Sequence, residues 1–203
     1  MKISNSLTAI LLTLSVSTFS INAFADKDLE SPHTVGLQSG GGGIEYKGKD
    51  TDGEGVGASY LYYNYQFASN YSVEVGLSGA VDVDDWECTD KGENSWDCIS
   101  DYDNKFELQA DNFEYSAVIL ALKTDLSLSK RNRLYAKVGA AFYDYRIDLD
   151  HTSVADKNGT GVFVEAGWEY RWDNGFGLNT SLQYQDAGDL DIDTFNIGIS
   201  YTF

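Results

Sequence analysis

With 203 residues, 32 acidic against 14 basic side chains and a formal net charge of −18, the chain lacks the clustered Lys and Arg that nucleic acid requires. The same balance opposes docking on anionic lipid from the water side. It is one domain's worth of sequence, rich in aromatics (14 Tyr, 10 Phe, 4 Trp) and Gly, with a single Pro. Its mean hydropathy of −0.32 would class it as soluble. A β-barrel in a membrane escapes that test, because half of its strand residues face a polar interior.

Residues 1–25 read as a secretory signal. Lys2 gives the charged start, Leu7 to Phe19 the apolar run, and Ala23-Phe24-Ala25 a small-x-small cleavage site before Asp26. The run is too short to span a bilayer as a helix. No Cys at the cleavage site speaks for a lipoprotein, and no later stretch is apolar enough for a transmembrane helix. The mature domain is therefore expected over 26–203, exported, crossing any membrane as strands.

The first expected strand runs from about His33 to Tyr46. Val35 and Leu37 point one way, Gly36 and Gln38 the other, and Gly40-Gly41-Gly42-Gly43 interrupts the pattern. Ile44 and Tyr46 are expected to resume the outward role after a one-residue phase shift, as at a β-bulge. No Lys-Ser/Thr and no helix follow, as a phosphate-binding glycine loop would need. After a polar loop, Gly48 to Glu54, the second strand (about Gly55 to Phe67) has no readable phase, since Tyr60 to Tyr65 crowd both faces. The third, Tyr71 to Asp84, alternates cleanly, with Val73, Val75 and Leu77 outward and Ser72, Glu74 and Ser78 inward.

A long polar segment, Asp85 to about Ala110, holds Cys88 and Cys98. The fourth strand, roughly Asp111 to Asp125, hides its phase behind an apolar middle. The fifth, about Arg133 to Asp148, directs Leu134, Val138 and Phe142 outward and Tyr135 and Lys137 inward. A polar loop, Leu149 to Asn158, carries His151. The sixth, Gly159 to Trp172, sends Glu165, Glu169 and Arg171 inward, and Asp173-Asn174-Gly175 is a hairpin turn. The seventh, Phe176 to Gln185, leads through a short acidic loop, Asp186 to Asp191, to the last. There Phe195, Ile197, Ile199, Tyr201 and Phe203 alternate strictly with small or polar residues up to the final position.

Eight strands, long and short connections in alternation, and a terminal aromatic resemble the small outer-membrane barrels of the OmpA/OmpX type. The resemblance covers the mature chain and is architectural, with no peptidoglycan-binding domain after Phe203. It implies an all-β, eight-stranded antiparallel up-and-down transmembrane barrel, monomeric, with both termini periplasmic. It further implies contact with outer-membrane lipid and lipopolysaccharide, and recognition of Tyr201 and Phe203 by the barrel assembly machinery. Members act through their outer loops, some in adhesion or resistance.

Glu74, Lys137, Glu165, Glu169 and Arg171 are candidates for a charge network inside the barrel. A structural polar core is favoured over an ion-pair gate, because eight strands leave an interior that side chains fill. Cys88 and Cys98, in an oxidising location, are expected to form a disulfide. No cofactor, metal centre or nucleic-acid partner is expected. The acidic loop residues, among them Asp82, Asp84, Asp85, Glu87, Asp90 and Glu93, read as solvated surface before they read as a divalent-cation site.

Two other readings compete. A lipid A-modifying enzyme would draw on His151, Ser153 and Glu165, but the deacylases of that kind carry their His-x-Ser pair on the next-to-last strand, where this chain has Gln183-Tyr184-Gln185. A lipocalin-like carrier would put its apolar faces inward. Here the inward residues are expected to be Glu, Gln, Asn, Ser and Gly.

Overall fold

The computed structural model describes residues 32–50, 55–83, 86–90, 96–100, 112–149 and 152–203. The expected signal segment and His151 lie outside them, as do the side chains of the acidic residues 82–111. The strands are β1 (His33–Tyr46), β2 (Lys49–Asp50), β3 (Gly55–Ala68), β4 (Tyr71–Val83), β5 (Trp86–Asp90), β6 (Trp96–Ser100), β7 (Asn112–Ser127), β8 (Asn132–Leu149), β9 (Thr152–Arg171), β10 (Phe176–Asp186) and β11 (Leu190–Thr202).

Eight of them form one antiparallel sheet in the order β11-β10-β9-β8-β7-β4-β3-β1, and β1 pairs back onto β11. The sheet is thus a closed barrel with no edge. The two-residue β2 folds back on Glu45 and Tyr46 of β1. β5 and β6 form a separate hairpin within the connection from β4 to β7.

Period-two patterning sets the faces. On β10, Gly177, Asn179, Ser181, Gln183 and Gln185 line the interior, and Phe176, Leu178, Leu182 and Tyr184 face out. The two strands with no legible phase follow the same rule. β3 turns Val56, Ala58, Tyr60, Tyr62 and Asn64 inward and Leu61, Tyr63, Tyr65 and Phe67 outward. β7 turns Phe113, Tyr115, Ile119, Lys123 and Asp125 inward and Val118, Leu120 and Leu122 outward. Large apolar side chains are exposed on the outside of all eight barrel strands. A continuous belt of this kind is unfavourable in water and suits lipid.

The start of β1, Phe203 and the short connections share one end of the barrel. Phe203 N–H donates to the His33 carbonyl (2.9 Å), Gln66 N–H to Pro32 (2.8 Å), Asp125 N–H to Asn70 (2.9 Å) and Thr202 N–H to Gly175 (2.9 Å). This is the turn end. Gly175 holds φ at +89°, which the tight Asp173-Asn174-Gly175 turn requires. The connections after β1, β4, β8 and β10 lie at the opposite, loop end.

Three expectations are corrected. Gly40–Gly43 is not a bulge: β1 pairs with β11 without a break from Thr34↔Thr202 to Tyr46↔Leu190. A Cβ at Gly40 or Gly42 would lie 1.9 or 1.8 Å from a β11 carbonyl oxygen, so these glycines permit close approach of the two strands. With no phase shift, Ile44 and Tyr46 face inward and are buried. Second, Leu149–Asn158 is mostly strand, because β8 and β9 stay paired up to Leu149↔Thr152, with one irregularity at Ile147/Asp148. Third, the interior is not polar throughout. Its loop-end half is filled by Ile44, Val56, Phe113, Ile147, Phe163, Leu190 and Ile192.

The ring of Tyr60 lies across Gly76 of β4, where an added Cβ would sit 2.3 Å from Cε2. Gly76→Val is therefore expected to lower stability by about 1–3 kcal/mol through overpacking, read as an earlier denaturant midpoint of the lipid-refolded barrel. Gly79→Ala, with only the Tyr115 carbonyl at 3.7 Å, should leave that midpoint nearly unchanged.

Candidate functional site

The turn-end half of the lumen holds two charged clusters. In the first, Lys137 of β8 bridges Glu74 of β4 (Nζ–Oε1 2.8 Å) and Glu165 of β9 (Nζ–Oε2 3.0 Å). All three are buried, at 2, 0 and 0% exposure. The carboxylates are fully served by donors. Tyr60 OH (2.7 Å) and Asn64 Nδ2 (3.3 Å) donate to Glu74, and Tyr135 OH (2.7 Å) and Gln38 Nε2 (2.9 Å) to Glu165. The Lys137 ammonium also sits 4.5 Å from the Tyr62 ring centre, 5.2 Å from that of Tyr60 and 5.3 Å from that of Tyr135. Each of these rings leans over an inward glycine of a neighbouring strand: Tyr60 over Gly76, Tyr62 over Gly36, Tyr135 over Gly167.

The second cluster lies nearer the turn end. Lys123 and Asp125 of β7 pair at 3.2 Å, Lys123 reaches Glu169 at 3.7 Å, and Arg171 Nε donates to Glu169 at 2.7 Å. Arg133 stands opposite Glu169 in register. Lys123, Arg133, Lys137 and Arg171 thus balance Glu74, Asp125, Glu165 and Glu169. Balance matters here, because an unmatched charge in this setting carries a desolvation cost of several kcal/mol.

The five residues expected to form one network therefore divide. Glu74, Lys137 and Glu165 come together, while Glu169 and Arg171 belong to the second group. Sequence reading missed Lys123 and Asp125, which lie on the strand of hidden phase. Gln38 and Tyr135 were placed on the inner face but given no partners, and Tyr60 and Tyr62 of the cage were missed because the run Tyr60-Leu61-Tyr62-Tyr63 hides the phase of its strand.

Outside the lumen, Arg131 Nη2 donates to Asp173 (2.6 Å) across the two neighbouring turns, and this bond holds the Asp173 carboxyl below its usual range. At the loop end Lys157 of β9 binds Asp189, which is likewise lowered by that hydrogen bond. Phe203 stacks on Tyr201 and His33 at the turn end. Cys88 and Cys98 are directly opposite in the β5–β6 register. Ser153 and Glu165 are not brought together: twelve residues of strand part them, about 40 Å, and the Ser153 hydroxyl donates to the Ala155 carbonyl. Among the described residues no group of acidic, Cys or His side chains could hold a metal ion.

A closed eight-stranded barrel with an apolar belt outside and ion pairs inside is the architecture of a small transmembrane β-barrel. The chain belongs to the outer membrane protein beta-barrel domain family, which it matches over residues 11–203. No curated protein matches it. Among solved structures, Neisserial surface protein A superposes with a TM-score of 0.64 at 11% identity, covering 85% of this chain and 98% of that one. The attachment invasion locus protein Ail of Yersinia pestis gives 0.52 at 16% identity (85 and 97% covered). The N-terminal barrel of Pseudomonas aeruginosa OprF gives 0.51 at 12% (84 and 97%). At such identities the likeness establishes the fold.

Removing Lys137 leaves two buried carboxylates facing each other. Lys137→Met is expected to cost about 3–5 kcal/mol. The neutral triple variant Glu74→Gln/Lys137→Met/Glu165→Gln should regain most of that. Denaturant titration of the barrels in lipid vesicles checks both.

Proposed function

We propose that the chain is a non-catalytic outer-membrane surface protein whose barrel holds acidic loops outside the cell. The observation that carries this is the distribution of charge. The lumen is filled and balanced, so the surplus negative charge falls on the connections of the loop end. Residues 84–111 alone include Asp84, Asp85, Glu87, Asp90, Glu93, Asp97, Asp101, Asp103, Glu107 and Asp111 against Lys91 and Lys105.

In this reading the turn end and both termini face the periplasm, where family barrels keep their short turns. The exposed Tyr201 and Phe203 are the features the assembly machinery reads, and the belt contacts outer-membrane lipid and lipopolysaccharide. The barrel is a monomer. The hairpin β5–β6 is stapled by a Cys88–Cys98 disulfide, since directly opposed residues of an antiparallel pair fall within the Cα separation such a bond needs.

The surface partner is cationic. Ail, a structural neighbour, has been solved with the heparin analogue sucrose octasulfate. A polysulfated ligand would be repelled by the loops of this chain. Proteoliposomes carrying the barrel are expected to bind polylysine beads in a salt-sensitive manner and to leave heparin beads bare. Replacing residues 84–111 with a short Gly-Ser link should abolish capture. Equal capture with and without those residues, or capture by heparin, contradicts the reading. Alkylation of the oxidised protein should leave Cys88 and Cys98 unmodified until a reductant is added.

A further inference from the structure

We propose that the turn-end mouth of the lumen is an anion site, in which Arg133 and Arg171 take a phosphate group. The site does not depend on which side of the membrane this end faces, and it lies opposite the end that carries the acidic loops.

Arg133 is the first inward position of β8 and Arg171 the last of β9, each partly buried. Arg133 stands opposite Glu169 in register, and Arg171 follows Glu169 on the same face of β9. The two guanidiniums are therefore on diagonal neighbours, within reach of long side chains. Beyond them come only the short turns.

The charge of the lumen balances over its length but not at each level. The deeper cluster holds one ammonium, Lys137, between Glu74 and Glu165. Its surplus negative charge is served by donors from Tyr60, Asn64, Tyr135 and Gln38. The outer cluster sets Lys123, Arg133 and Arg171 against Asp125 and Glu169, which leaves one positive charge over. Glu169 is already used. Its Oε1 accepts from Arg171 Nε (2.7 Å) and Nη2 (2.5 Å), and its Oε2 faces Lys123 Nζ at 3.7 Å. Lys123 also takes Asp125, at 3.2 Å. Arg133 is the cation left over. Its guanidinium makes no hydrogen bond or ion pair with any described residue. A partly buried fork of N–H donors calls for an acceptor that the protein does not supply here.

Phosphate fits the pair. A guanidinium binds two of its oxygens at once, and a second guanidinium in reach improves the match of charge. Ser127, opposite Arg133 in register, adds a hydroxyl. On the other side Arg171 is followed in register by Gly177, which has no side chain, and then by Ser200, whose Oγ is buried without a partner. The turn beside the mouth adds Lys130 and Arg131 against Asp173. The field at this end therefore favours an anion.

The test uses the full mature chain folded in dodecyl maltoside micelles, which carry no phosphate. Inorganic phosphate is titrated in at an ionic strength held constant with chloride. The side-chain Nε–Hε resonances of Arg133 and Arg171 are expected to shift and saturate, while that of Arg146, at the loop end, stays in place. Arg133→Gln should lose the Arg171 shift, and heat-modifiable mobility establishes that this variant is folded. No saturable shift in the native chain, an equal shift at Arg146, or a full Arg171 shift in folded Arg133→Gln would overturn the proposal. Nanodiscs of phosphatidylglycerol separate the two sources of phosphate. A shift that persists there on adding phosphate marks a soluble ligand. Resonances already at their bound positions before any is added mark a lipid headgroup. Resonances neither displaced nor displaceable there also overturn the proposal.

Discussion

Closure of β1 onto β11 is the constraint on which the rest of the molecule depends. In hydrocarbon every backbone N–H and C=O must find a protein partner, so a sheet in lipid cannot keep an edge. The seam is paired from Thr34↔Thr202 to Tyr46↔Leu190. It is tight where Gly40 and Gly42 let β1 approach the carbonyls of β11. Once the sheet closes, alternation does the remaining sorting: one set of side chains meets lipid and the other must fill a narrow lumen.

The lumen solves the filling problem in two ways. Toward the turn end it uses charge, balanced and saturated with donors, with Lys137 held between two carboxylates and three tyrosine rings. Toward the loop end it uses aliphatic and aromatic packing. The two halves have different consequences. The charged half depends on partners from strands far apart in sequence and tolerates the loss of none of them singly. The apolar half needs only volume. In the charged half the four basic side chains Lys123, Arg133, Lys137 and Arg171 offset the four acidic ones Glu74, Asp125, Glu165 and Glu169.

Much of the fold was legible from alternation alone. β4, β8, β9, β10 and β11 show it cleanly, and their faces follow from the side-chain types. β3 and β7 did not, because Tyr60 to Tyr63 suit either face and the stretch Ala117 to Leu122 is apolar on both. Their faces are set by register with neighbours, which no single strand contains. The glycine run misled for a related reason. Glycine tolerates a bulge, but it also tolerates a backbone carbonyl at close range, and only the position of β11 decides between them. That one phase error turned Ile44 and Tyr46 outward and hid the apolar half of the interior. The contacts around Glu165 illustrate the limit. Gln38, Tyr135 and Lys137 meet it from two other strands, and spacing in the chain says nothing about their meeting.

The whole arrangement requires that the outward belt faces lipid. The direct measurement is the folding of residues 26–203 with and without phospholipid or detergent, followed by far-UV circular dichroism and by gel mobility in SDS before and after boiling. A β-sheet spectrum and a heat-shifted band are expected only when amphiphile is present. A chain that folds in plain buffer and shows no shift would contradict it, because the exposed Leu, Ile, Val and Phe of the belt would then have to be covered by something other than lipid.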